Sequence, residues 1–255
     1  SELYYALGVR PLRLFEPVFG QAVAYQRRAR VGVRYVNRKE RLLIGFREKN
    51  GRYLTDMLGC SVLDGRLSRL LALLSESLCG LSCHHHIPHV DVVAGDNEFA
   101  FIVRHLLPLS SEDLAAFKAI GRLAKASVFL QPELEDSIHA LYLHGASELL
   151  TYQIYSQRLY IAFHPRDFAP INPEVHDKMI VQLISWLDLK GVESVLGLCC
   201  GLGSTALSLA RYCKHVVGVD EAGGMLEGAR HNAVLNSIKN VTFYQHSLSE
   251  SFVGQ

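Results

Sequence analysis

The sequence predicts an α/β protein in which a mixed region of strands and helices precedes a parallel, doubly wound sheet. Strands and helices alternate strictly from about residue 173 onward, an order typical of parallel sheets. Hydrophobic residues make up 49% and charged residues 20% of the 255 positions, which is ordinary for a globular protein of one or two domains. No apolar run approaches the ~20 residues that cross a bilayer.

The cysteines and the N-terminus indicate the compartment. The chain opens Ser1-Glu2-Leu3-Tyr4-Tyr5 without a basic segment and an apolar stretch, so we expect no signal peptide. The six cysteines are therefore expected to be reduced thiols in a cytoplasmic protein rather than a disulfide framework. Because the first residue is not Met, we expect a processed chain or a fragment.

Residues 20–165 contain the elements of the mixed region. Apolar periodicity predicts strands at Arg41–Phe46, Glu98–Arg104 and Arg158–Phe163. An amphipathic helix is expected over Arg66–Leu78, where four leucines share one side. A second helix is expected to begin after Ser110, whose hydroxyl suits an N-cap.

The first 52 residues are strongly basic. They carry twelve Lys or Arg and four Asp or Glu, a balance of +8, whereas the remaining chain balances to −7. Within this segment Arg28, Arg30 and Arg34 alternate with apolar residues, and period two places such arginines on one face of a strand.

A row of arginines on a sheet face suits phosphate contacts, and the alternative is a solvated strand face. The basic character continues at Lys39, Arg41, Arg47, Lys49 and Arg52, which favours a surface that binds a polyanion.

The parallel part is expected to begin with a helix that has Asn172 as its N-cap and Pro173 as its first residue. This helix is expected to reach about Leu189, with a core stripe of Met179, Ile180, Leu183, Ile184 and Leu187. The following elements are predicted as a buried strand Ser194–Cys200, a helix Thr205–Tyr212, a strand His215–Asp220, a helix Met225–Asn236 and a strand Val241–Tyr244.

A glycine loop and an acid follow the first two parallel strands. Gly201 permits a tight turn and Gly203 is expected to let a ligand approach the backbone. Asp220 ends the next strand, where a carboxylate accepts hydrogen bonds from ribose hydroxyls. The pattern indicates an adenosine-containing cofactor, for either hydride transfer with a dinucleotide or methyl transfer from S-adenosylmethionine. An ordinary strand-to-helix turn is the alternative.

Several motifs resemble one family. They are Arg27–Arg30, Gly45–Arg47, Arg104–Ser111, Pro165–Phe168, Trp186–Asp188, the glycine loop and Asn240–Tyr244. Residues from about 20 to 250 resemble the bacterial 23S rRNA (uracil-C5)-methyltransferases, especially those of the uracil-1939 type. The family has an RNA-binding TRAM barrel, a central domain with a [4Fe-4S] cluster and a Rossmann-like methyltransferase domain.

The resemblance implies three segments. Residues 1–20 are an N-terminal segment expected to pack on the methyltransferase domain. Residues 21–163 form a central α+β RNA-binding domain, and residues 164–255 form the N-terminal part of the Rossmann-like domain that depends on S-adenosylmethionine.

The resemblance implies which residues contact S-adenosylmethionine. The family's contact positions correspond here to Pro170, Cys199, Ser204, Asp220 and Ser247, with Gly201 and Gly203 forming the loop. The family usually has Gln at 170, Phe at 199, Glu at 220 and Asn at 204 and 247. In the strand before the glycine loop, Gly197 stands where the family usually has Asp. Because proline has no side-chain donor or acceptor, one polar contact is expected to be lost at Pro170.

The resemblance assigns no catalytic residue to this chain. The family's nucleophilic Cys, which attacks uracil C6, and its general base fall beyond Gln255. Cys60 matches the last cluster cysteine and the other three fall before Ser1, so we expect no [4Fe-4S] cluster here because it takes four thiolates. We therefore expect this chain alone not to methylate RNA.

The implied function is methyl transfer to 23S rRNA in the cytoplasm, in the EC 2.1.1 class, with no membrane or DNA partner. Arg27, Arg28, Arg30 and Arg34 are expected to contact phosphates, and Phe168 to stack on a base, on the cofactor or in the core. The alternatives are an inactive RNA-binding remnant and an NAD-dependent oxidoreductase. The segment Cys79–His89 suits Zn²⁺ by composition, with a polar turn as the alternative.

Overall fold

Three sheets organise the chain in the computed structural model, which describes residues 6–8, 15–36, 38, 41–48, 53–56 and 59–247. Of the basic residues named above, Lys39, Lys49 and Arg52 lie outside this described part. The mixed region and the parallel part are both present, as the sequence predicts.

The largest sheet has seven strands in the order β3-β2-β1-β4-β5-β6-β7. All neighbouring pairs are antiparallel except β5 and β6, which are parallel. The strands are β1 Arg28–Val36, β2 Arg41–Arg47, β3 Leu54–Asp56, β4 His89–Ala94, β5 Phe99–Arg104, β6 Ser127–Gln131 and β7 His139–Tyr142.

Two helices, α1 (Gly65–Leu78) and α2 (Ser111–Ala124), cover one face of this sheet. The hydroxyl of Ser110 accepts a hydrogen bond from the amide of Asp113, which confirms the predicted cap. In β1, Ala29 and Val31 are buried beneath the helices whereas Arg30 is exposed. The period-two pattern therefore predicts the two faces of β1 correctly.

A hairpin and a parallel sheet complete the fold. The hairpin strands are β8 Leu150–Ile154 and β9 Leu159–Phe163, and the parallel strands β10 Ser194–Leu198, β11 His215–Asp220 and β12 Val241–Gln245 lie in that order. Three helices accompany them, namely α3 Pro173–Leu187, α4 Ser204–Leu209 and α5 Gly223–Leu235. The side chain of Asn172 accepts a hydrogen bond from the amide of Val175, so the predicted cap of α3 is confirmed.

One hydrophobic cluster joins the second face of the large sheet to the parallel part. It contains Ile102 and Phe129 from the large sheet, Ile161 from the hairpin, and Leu207 and Phe243 from the parallel part. Buried apolar surface therefore continues across the predicted domain boundary between residues 163 and 164. The division into three segments stays a prediction.

The predicted burial of the first parallel strand is wrong. Leu196 and Leu198 of β10 are 59% and 49% exposed, because β10 pairs only with β11 among the described strands. The stripe predicted on α3 is also incomplete, since Ile180 is buried while Met179 and Leu187 are exposed.

The residues before β1 run beside α3. The ring of Phe15 packs on that of Trp186 with centroids 4.6 Å apart. The Lys178 ammonium donates to the Phe19 carbonyl at 2.8 Å, and the amide of Gln21 donates to a carboxylate oxygen of Glu174 at 2.8 Å. Among the described helices, none is both long and apolar enough to span a membrane.

Candidate functional site

A cavity of about 400 Å³ opens at the carboxyl end of β10. This is where ligands bind in open parallel sheets. The walls come from the end of β10, the loop that follows it, α4 and five other segments. They include Phe168, Pro170, Cys199, Gly201, Leu202, Ser204, Leu209, Val216 and Met225.

The loop after β10 reverses the chain with three left-handed residues. These are Cys199 (φ +52°), Gly201 (φ +51°) and Gly203 (φ +84°). The amide of Gly203 donates to the carbonyl of Cys200 at 2.9 Å, which closes the turn before α4. Left-handed backbone costs a non-glycine residue energy, so Cys199 is a strained residue at the cavity wall.

Asp220 fixes this loop from the end of the neighbouring strand. One carboxylate oxygen accepts a hydrogen bond from the amide of Gly201 at 2.9 Å, and the other accepts from the amide of Ala222 at 3.0 Å. Asp220 is half-buried and is not among the residues that line the cavity. Its observed contacts are therefore with the backbone, and a ribose contact stays a prediction.

The two loop glycines serve different purposes. A Cβ at Gly201 would lie 3.4 Å from the flexible end of Met225, on the cavity wall. A Cβ at Gly203 would lie 3.2 Å from both Ala229 and Phe243. Gly203 therefore permits close packing beneath the loop, which differs from the predicted approach of a ligand.

The structure brings together five of the predicted site residues, namely Phe168, Pro170, Cys199, Gly201 and Ser204. Phe168 is 76% exposed, so it stands at the rim and is not a core residue. Ser247 follows β12 and does not line the cavity. The assignment of these residues to a cofactor stays a prediction.

Two lining residues that were not predicted from the sequence carry polar rings. Tyr152 comes from β8 and His176 from α3, and the two rings meet edge to face with centroids 6.4 Å apart. Burial raises the pKa of Tyr152, while the neighbouring Ser204 hydroxyl acts in the opposite direction. Burial also lowers the pKa of His176, and its Nε2 has no hydrogen-bond partner in the described part of the chain.

No sequence signal marks these two residues, because neither belongs to the glycine loop or to a spaced motif. They add a phenol and an imidazole to a wall that is otherwise mostly apolar. A polar ligand group is therefore accommodated at this end of the cavity.

Two described cysteines near the loop, Cys200 and Cys213, have raised thiol pKa values. Burial, assisted by the charge of Asp220, raises the pKa of Cys200 to about 11, and burial raises that of Cys213. A thiol with a raised pKa is a poor nucleophile at neutral pH. Neither residue therefore supplies an activated thiolate.

Three of the predicted RNA-binding arginines bind groups of the protein itself. Arg27 pairs with Asp96, and Arg30 holds the buried carboxylate of Asp91 with two hydrogen bonds of 2.7 and 2.8 Å. Arg28 donates to the carbonyl of Asp167, in the loop that carries Phe168. These three arginines therefore make contacts within the protein. Their role in RNA binding stays a prediction, as does that of the exposed Arg34.

The candidate metal positions are not assembled into a site. In the part of the chain that the structure describes, no group of three or more His, Cys, Asp or Glu side chains could hold a metal ion. The described residues near the half-buried Cys60 therefore do not fit a four-thiolate cluster. Within Cys79–His89, the rings of His84 and His85 pack against Tyr35 with centroids 4.6 and 4.9 Å away.

Comparison with known proteins agrees with this geometry. Residues 195–253, which contain β10 and the glycine loop, match a family model described as a methyltransferase domain. The crystal structure of Pyrococcus abyssi tRNA (uracil-54, C5)-methyltransferase in complex with S-adenosyl-L-homocysteine has the same fold. It superposes with a TM-score of 0.71 at 17% identity, over 100% of this chain and 62% of that one.

Curated relatives share far more sequence. The 23S rRNA (uracil(1939)-C(5))-methyltransferases RlmD of Hahella chejuensis and Francisella tularensis subsp. novicida are each 36% identical, over 94% and 98% of this chain. That of Legionella pneumophila is 34% identical over 94%. The chain spans about half the length of these relatives, from 54% to 56%. The resemblance seen in the motifs is thus confirmed, and almost the whole of this chain is similar to about half of each of these 23S rRNA (uracil(1939)-C(5))-methyltransferases.

Proposed function

We propose that this chain carries cofactor-binding and RNA-binding parts of a 23S rRNA (uracil-C5)-methyltransferase that uses S-adenosylmethionine. The observation that carries the proposal is the cavity at the carboxyl end of β10, which Gly201 and Ser204 line. The reaction class is methyl transfer to C5 of a uridine, of the uracil-1939 type. The proposed location is the cytoplasm, where ribosomal RNA is found.

The cavity residues fit an adenosine-containing methyl donor. A volume of about 400 Å³ lies within the range of small-molecule sites. Leu209, Val216 and Met225 offer an apolar wall for a base, and Ser204 offers a hydroxyl. The unpaired Nε2 marks His176 as a side chain with an unsatisfied polar group at this wall.

When bound, S-adenosylmethionine supplies an electrophilic methyl group. The chain's own residues bind and orient this cofactor. Asp220 holds the Gly201 amide, so the loop keeps its shape, and Pro170 and Cys199 complete the cavity wall. A pre-shaped and largely apolar site strengthens the polar contacts made within it.

The RNA path is proposed to follow β1 towards Phe168. Arg30 and Arg34 share the exposed face of β1, and Arg28 on the same strand binds the loop that bears Phe168. The exposed ring of Phe168 lies at the cavity rim, where an aromatic side chain stacks readily on an unpaired base. A base extruded from the RNA would therefore reach the cavity mouth.

Calorimetry with S-adenosylhomocysteine tests the cofactor site. Gly201→Val places a branched side chain at the cavity wall, so we expect at least a tenfold loss of affinity. Gly191→Val is the matched control, because Gly191 also has a positive φ of +86° but has open space around its Cβ position. Equal affinities of the two variants would contradict the proposal.

The same measurement separates the alternative functions. Binding of NADH in preference to S-adenosylhomocysteine would indicate an oxidoreductase. Binding of RNA without either cofactor would indicate an inactive RNA-binding remnant. We expect S-adenosylhomocysteine to bind and NADH to give no heat above dilution.

A further inference from the structure

A second cavity lies between α1 and the C-terminal end of α2, and we call it the α1–α2 groove. Its volume is about 400 Å³. Leu70, Leu73 and Phe99 form the apolar floor, and Arg66, Arg69 and Lys125 stand around it. The two helices cover the face of the large sheet opposite to Arg30, so the groove is separate from the arginine face of β1.

The three cations of the groove are held differently. Arg66 is fixed, because its guanidinium donates to the Asp64 carboxylate at 2.9 Å and to the carbonyl of Gly95 at 2.8 Å. Arg69 and Lys125 are exposed, and neither forms an ion pair within the described residues. These two charges are therefore available to an anion.

The acids nearby do not neutralise the groove. No described residue that lines it carries a carboxylate. Glu98, which precedes Phe99, accepts a hydrogen bond from the Thr151 hydroxyl at 3.2 Å instead. The groove thus combines at least two uncompensated positive charges with an apolar floor that includes an aromatic ring.

Single-stranded RNA matches both features. Its phosphates pair with Arg or Lys, and its bases have flat faces that stack on aromatic and apolar side chains. Leu123, 72% exposed at the edge of the groove, extends the apolar surface. An acidic peptide would match the cations but would leave the floor and Leu123 uncovered.

We propose that the α1–α2 groove binds a single-stranded RNA segment, with phosphates at Arg69 and Lys125 and a base over Phe99. The choice of RNA rests on the proposed function, whereas the groove and its charges do not. The RNA bound here lies on the opposite side of the large sheet from Arg30. The substrate would then contact both faces of this sheet.

Fluorescence anisotropy with a labelled single-stranded RNA of about 12 nucleotides tests the proposal. The variant is Arg69→Gln/Lys125→Gln in the full chain. The control is Arg211→Gln/Lys239→Gln, which removes the same charge from exposed sites elsewhere. Each lost phosphate contact lowers the slope of log affinity against log salt by about 0.7, so we expect a fall of about 1.4 for the groove variant alone. Its affinity at low salt should fall about tenfold.

Crosslinking, competition and cofactor binding complete the test. Ultraviolet crosslinking of the RNA followed by mass spectrometry should recover a peptide that contains Phe99. Equal salt slopes for the two double variants would overturn the proposal. It would also be overturned if poly-glutamate bound more tightly than RNA and the groove variant abolished that poly-glutamate binding. S-adenosylhomocysteine should bind all variants equally, so a failure of the cofactor site would be seen separately.

Discussion

Ala162 on β9 and Asn232 on α5 exchange two hydrogen bonds across 70 residues of sequence. The amide of Ala162 donates to the side-chain oxygen of Asn232 at 2.8 Å, and the side-chain nitrogen of Asn232 donates back to the Ala162 carbonyl at 3.1 Å. One helical turn later, Asn236 makes the same pair of bonds with Tyr160, at 2.8 and 2.7 Å. Two side-chain amides, one in α5 and one at its C-cap, therefore bind the edge of β9 as a neighbouring strand would.

This arrangement predicts different costs for two similar substitutions. Asn232 is fully buried and also donates to the Leu202 carbonyl at 3.1 Å. Asn232→Ala leaves buried backbone groups without partners, and we expect a loss of about 2–4 kcal/mol in the free energy of unfolding. Asn236→Ala removes the same pair of bonds where water can replace them, so a loss below about 1 kcal/mol is expected. Urea denaturation measures both, and equal losses would contradict the assigned role of burial.

His164 predicts a specific sensitivity to acid. Burial, assisted by the charge of Arg166, lowers the pKa of His164 to about 4. The unfolded chain therefore binds one more proton than the folded chain between pH 6.5 and 4. The contribution of His164 to the free energy of unfolding is fully present above pH 6.5. It falls by up to about 3 kcal/mol as the pH drops through this window.

His164→Asn keeps an acceptor for the Arg166 amide, which the ring Nδ1 binds at 3.1 Å, and removes the titration. We expect its urea midpoint to depend less on pH between 6.5 and 4 than that of the unaltered chain. His231→Asn, at an exposed position, is the control. An unchanged pH dependence in His164→Asn would show that another group causes the loss.

The ion pair between Arg30 and Asp91 predicts that replacing Arg30 lowers the free energy of unfolding, whereas the sequence alone suggests only an RNA contact. Asp91 is 4% exposed and receives two hydrogen bonds from Arg30. Arg30→Met leaves a buried charge without this partner, which should cost about 2–3 kcal/mol. Adding Asp91→Asn should recover at least half of that loss. If thermal and urea unfolding of Arg30→Met match those of the unaltered chain, Arg30 is not a structural residue.

Asp220 predicts a link between loop geometry and cofactor affinity. In Asp220→Asn, the side-chain nitrogen would face one of the backbone amides of Gly201 or Ala222, which both need an acceptor. We expect S-adenosylhomocysteine to bind about tenfold more weakly, which corresponds to 1.4 kcal/mol. Asp188→Asn, an exposed carboxylate on the far end of α3, should leave the affinity unchanged. A similar affinity for both variants would argue against loop control.

Local signals predicted much of the fold. The caps Ser110 and Asn172 sit where they were expected, because a cap acts through residues two or three positions away. The strand that ends at Asp220 has the predicted bounds. The alternation of strand and helix after residue 173 also predicted the parallel sheet.

The remainder depends on contacts between distant segments. Tyr152 and His176 reach the cavity only because β8 and α3 pack beside the glycine loop. The hydrogen bond between Asp220 and Gly201 joins the end of β11 to the loop after β10. The sequence alone does not tell whether an Asp at this position binds a backbone amide or a ribose hydroxyl. The exposure of Leu196 could not be predicted either, since an apolar strand reads the same at the edge of a sheet as at its centre.

The hydrogen bond from Gly201 to Asp220 has a thermodynamic consequence. A loop that must first become ordered loses conformational entropy when its ligand arrives, and that loss weakens binding. Here the folding of β11 already fixes the turn before any ligand is present. Association should therefore show a small entropic penalty and little change in the mobility of residues 199–204.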